Sequence, residues 1–99
     1  MTIEEIKYDD QIQLNISGKI DTITSADFQK AVLGSFQKSN KVILNFQDVS
    51  YISSAGLRAL VLGEKTAISK GGSMKVINTN SSIQDIFRMT GMNKIFDFS

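Results

Sequence analysis

The chain has 99 residues, a net charge of +1 and an ordinary apolar fraction, enough for one domain, spanning residues 1–99, with a modest core. It contains neither cysteine nor histidine, which excludes disulfides, thiolate nucleophiles, zinc–thiolate sites, imidazole ligands and the usual general base near neutral pH. Lysines and acids are interspersed rather than clustered, which argues against a nucleic-acid face.

No apolar run approaches the roughly 20 residues of a membrane span. The acidic start, Glu4-Glu5, is also unlike a signal peptide. The expectation is a soluble cytoplasmic domain with no membrane or nucleic-acid partner.

In chain order, Thr2 to Tyr8 and Ile12 to Ile20 read as two strands of a hairpin joined at Asp9-Asp10. Ile12, Leu14, Ile16, Gly18 and Ile20 recur at period two, as one buried strand face requires. Thr22 to Asp27 opens a helix, with Thr24-Ser25-Ala26-Asp27 as a loose capping box and Phe28, Ala31, Val32, Ser35 and Phe36 as its inner stripe.

Val42 to Phe46 is an apolar run of the kind found in a strand covered on both faces. A loop from Gln47 to Ser53 follows, then a helix from about Ala55 to Ser69 with Leu57, Leu60, Val61, Ala67 and Ile68 inward. Gly63 suits a close approach to the sheet, and Gly71-Gly72 ends the helix. Met74 to Ile77 is a strand. Ser81 or Ser82 caps a third helix with Ile83, Ile86, Phe87 and Thr90 along one face, Gly91 stops it, and Ile95 to Phe98 is a last strand. A hairpin followed by alternating helices and strands predicts an α/β domain with a mostly parallel sheet and helices packed on it.

In such a sheet function gathers at the carboxyl ends of the strands. Asp21-Thr22, Asp48 to Ser54 and Asn78-Thr79-Asn80 emerge there, which places the Asp21 carboxylate near the Ser53-Ser54 pair. Enzymes fit poorly. There is no Gly-x-Ser-x-Gly with a histidine, no phosphate-binding Gly-x-x-x-x-Gly-Lys-Ser/Thr, and no acidic cluster at metal-ligand spacing. A serine between strand and helix serves either as an ordinary cap or as a hydroxyl to be phosphorylated and read by a partner.

Val42-Ile43-Leu44-Asn45-Phe46 followed by Val49-Ser50-Tyr51-Ile52-Ser53-Ser54-Ala55-Gly56-Leu57 resembles the signature of STAS domains, and more narrowly of bacterial anti-sigma-factor antagonists. Gly18-Lys19-Ile20-Asp21 and Phe87-Arg88-Met89-Thr90-Gly91-Met92 extend the resemblance along the whole chain.

The resemblance implies a non-enzyme without a cofactor that works by partner switching. Unphosphorylated, such a protein binds an anti-sigma factor that is also an ATP-dependent serine kinase with an ATPase-type fold, which frees the sigma factor. Phosphorylation breaks the complex, and a metal-dependent serine phosphatase resets it. ATP and the metal belong to those partners. The acceptor by this resemblance is Ser54, with Ser53 the second choice, and the docking face is expected to include Asp21, Thr22, Ser53, Ser54, Gly56 and Arg58.

Members often carry aspartate where this chain has Ser53 and Asn45, and losing both carboxylates is expected to change the field at the serine. The alternative is a STAS module that is never phosphorylated, holding a small anion or serving as an accessory subunit of a transport system.

Overall fold

Ile12, Leu14, Ile16 and Ile20 are all buried on β2 (Ile12–Ile20), the strand whose alternation is clearest in the sequence. β1 (Thr2–Lys7) lies antiparallel beside it. β3 (Lys41–Ile52), β4 (Ser73–Ile77) and β5 (Asp97–Phe98) follow on the other side, each parallel to its neighbour, in the order β1-β2-β3-β4-β5. Helices α1 (Ser25–Phe36), α2 (Ser54–Ser69) and α3 (Ser81–Met89) make the connections, and a short 3-10 turn, Met92–Lys94, precedes β5. The computed structural model describes all 99 residues, as one α/β domain.

The helices share one face of the sheet. Val42 and Leu44 of β3 pair beside buried residues of β2 and of β4, Phe46 is buried in the same core, and every helix adds to it. Phe28 of α1 meets Phe46 edge to face at 6.2 Å, and Phe87 of α3 meets Phe98 at 5.0 Å. Each fully buried phenylalanine contributes about 1.5–3 kcal/mol. Ile43 and Asn45 point to the opposite face and are only half covered. β3 is therefore not enclosed between two helical layers, as its apolar run suggests.

Other expectations are corrected locally. Gln47 to Ile52 is not a loop: β3 continues through it, with register shifts opposite Asn15/Ser17 and Gly18/Lys19 that absorb extra residues and keep Val49 and Ile52 buried. On α2, Ala59 rather than Ile68 faces inward, and Ile68 is 71% exposed. Asn80, not a serine, caps α3, its Oδ1 accepting the Ile83 N–H at 2.9 Å. Thr90 is exposed and donates its hydroxyl to the Ile86 carbonyl. Only Asp97–Phe98 of the last segment pair as strand.

Gly63 does give the close approach: a Cβ there would lie 2.8 Å from Met74 Sδ and 2.9 Å from Val32 Cγ1, so α2 is pressed against both β4 and α1.

Candidate functional site

β2 and β3 run side by side to Ile20 and Ile52, and the chain leaves both strands at the same end of the sheet. The Ser53 N–H donates to the Ile20 carbonyl at 2.8 Å, which ties the start of α2 to the end of β2. Ser53 Oγ then accepts the Gly56 N–H at 3.2 Å, satisfying one of the donors that a helix start leaves unpaired. With its side chain committed inward, Ser53 is 7% exposed. Ser54, one residue later, is the first residue of the helix and is exposed. The two hydroxyls are thus separated by environment: one completes the fold, the other stands in solvent.

Gly56 lets this happen. A Cβ there would sit 2.7 Å from Ile52 Cγ1 and 2.8 Å from Ile20 Cγ2, so only glycine lets the helix start rest on the two strand ends. Gly56 is buried and presents no side chain outward.

Asp21 is likewise occupied. Its Oδ1 accepts from the N–H groups of Ile23 and Thr24, both at 2.9 Å, and from the Thr24 hydroxyl at 3.1 Å. The Thr24 N–H, first among these, holds the carboxyl below its ordinary value. Thr24 Oγ1 accepts the Asp21 N–H and reaches the Lys19 carbonyl. Thr24 therefore serves this turn and makes no cap to its own helix, contrary to the capping-box reading. Thr22 at the turn's crest is exposed.

Of the six residues expected to face a partner, then, Thr22, Ser54 and Arg58 are exposed, while Asp21, Ser53 and Gly56 shape the surface from beneath. One residue escaped the sequence reading. Ile23 is 87% exposed, held out on the turn that Asp21 fixes. Its only signal was an apolar residue outside both the strand and the helix periods. Asn45 lies elsewhere: on the uncovered face its amide donates to Asn15 Oδ1 and its carbonyl accepts from Asn78. Asn45 pairs with Asn15 and Ile52 with Ile20, five residues of β2 apart or roughly 16 Å, so a carboxylate at position 45 would be largely screened at Ser54.

The STAS domain family model matches residues 2–99. The chain belongs to the STAS domain family. This STAS domain is 30% identical over 91 residues to the anti-sigma-B factor antagonist of Bacillus subtilis, covering 92% of this chain and 84% of that protein. Its fold is similar to that of an anti-sigma factor antagonist from Mycobacterium paratuberculosis, with a TM-score of 0.86, 19% identity, and 98% and 83% of the two chains covered. It is also similar to the phosphorylated form of SpoIIAA, a Bacillus cell fate determinant, with a TM-score of 0.76, 14% identity, and 99% and 91% covered. No helix of this STAS domain is long and apolar enough to cross a membrane.

Proposed function

We propose that this STAS domain is an anti-sigma-factor antagonist whose binding surface is switched by phosphorylation of Ser54. The observation that carries this reading is the exposure of Ser54 beside a buried, already bonded Ser53. The family, and the names of its relatives, support the partner class.

In the unphosphorylated state Thr22, Ile23, Ser54 and Arg58 meet the anti-sigma factor. Ile23 supplies an apolar anchor on a rigid turn and Arg58 a charge for an acid on the partner. The partner is also the kinase, with an ATPase-type fold. Ser54 Oγ attacks the γ-phosphorus of its bound ATP, the hydroxyl proton passes to a base on the kinase, and ADP leaves. The new phosphate carries about −1.5 to −2 charges, which repel acidic groups opposite and desolvate poorly against apolar ones. The complex separates while the domain stays folded. A metal-dependent phosphatase delivers water to the phosphorus, releasing inorganic phosphate and restoring the serine.

Incubation with ATP and the cognate kinase, read by intact mass and peptide mapping, tests this. One phosphate is expected on Ser54, abolished by Ser54→Ala and retained by Ser53→Ala. Phosphate on Ser53, or none on either serine, would overturn the reading.

A further inference from the structure

Lys38 pairs with Glu5, Lys41 with Asp10 and Arg88 with Asp85. Arg58 makes no ion pair, although it is the only cation in the first two turns of α2, and the first turn holds no acid. It stands four residues after Ser54, and both side chains are exposed. Residues at that spacing share a helix face, with Cβ atoms about 5–6 Å apart. Side chains on a helix also lean toward its start, which puts the turn that begins with Ser54 within reach of Arg58. A neutral hydroxyl offers a guanidinium little. A phosphate offers two oxygens to its planar fork.

We infer that in the phosphorylated protein Arg58 closes onto the Ser54 phosphate, so that one modification both adds negative charge and withdraws the docking cation. This rests on Ser54 being the modified hydroxyl and on Arg58 facing the partner, as proposed above. It gives the switch two parts: repulsion at position 54, and loss of the attraction that Arg58 supplies to the unmodified complex. Aspartate at position 54 has one charge on a short stem, so S54D reproduces the first part and holds Arg58 less firmly than a phosphate dianion does.

The test needs no kinase. Phosphoserine is installed at position 54 during synthesis, and the second ionisation of the phosphate is followed by phosphorus NMR in otherwise wild-type, Arg58→Gln and Arg58→Lys proteins. The other ionisable groups at this end of the fold are Lys19 and Asp21 from β2 and its turn, the Met1 ammonium whose charge acts on Asp21, Asp27 from the first turn of α1 and Tyr51 from β3. They are common to all three proteins, so differences report residue 58.

Because Arg58 favours the dianion, the ionisation should fall about 0.3 pH units lower with arginine than with glutamine. Lysine should recover part of the difference, and 1 M salt should shrink it. Coincident titrations of the arginine and glutamine proteins would overturn the clamp. That failure is separable from failure of the phosphorylation reading, which shows as an unmodified Ser54 in the kinase reaction.

Discussion

Removing a hydroxyl that caps a helix from inside the fold has a different effect from removing one that stands in solvent. Ser53→Ala leaves the Gly56 N–H without its acceptor and should lower stability by about 0.5–2 kcal/mol in denaturant titration, whereas Ser54→Ala should lie within about 0.5 kcal/mol of wild type. Gly56→Ala drives a methyl group into Ile20 and Ile52 and should cost about 1–3 kcal/mol. Its loss of partner binding should follow from a displaced helix start. Ile23→Ala should leave melting unchanged and weaken anti-sigma factor binding about fivefold or more by calorimetry, since a buried apolar anchor is worth over about 1 kcal/mol. Unaltered affinity would remove Ile23 from the docking surface.

Among the elements, α2 joins the proposed switch to the core, and its middle carries a pH signature. Burial raises the Glu64 carboxyl above its ordinary value, and the nearby Asp97 carboxylate adds to the effect. A raised carboxyl means that the folded state holds its proton more tightly, so this contribution to stability is full below the unfolded value and is lost as pH rises through the folded one. Glu64→Gln should therefore raise the melting temperature at pH 7, with the gain vanishing below the ordinary carboxyl range; an equal gain at both pH values would contradict it. Strong periodicity made β2 and the core stripe of α1 legible in the sequence, and the Ser54 segment was legible because its residue order is distinctive. The continuation of β3 was not legible, because bulges place Val49 and Ile52 out of simple alternation. Nor was the Asp21–Thr24 turn, whose hydrogen bonds compete with the helix cap for the same threonine oxygen.

Across the whole molecule, all three helices cover one face of the sheet, and Ser54, the proposed switch, lies at the carboxyl ends of β2 and β3, on top of a core that does not include it. A charge at position 54 consequently has little native packing to disturb, and Ser54→Asp should leave far-ultraviolet dichroism and melting nearly unchanged while weakening the complex. The most direct measurement is the calorimetric affinity for the cognate anti-sigma factor of the unmodified protein and of the same protein carrying phosphoserine at position 54. Like charges brought together in an interface cost several kcal/mol, so the phosphorylated protein should bind at least about a hundredfold more weakly with its melting temperature unchanged. Equal affinities of the two forms, or a phosphorylated form that has unfolded, would contradict a switch that acts on binding alone.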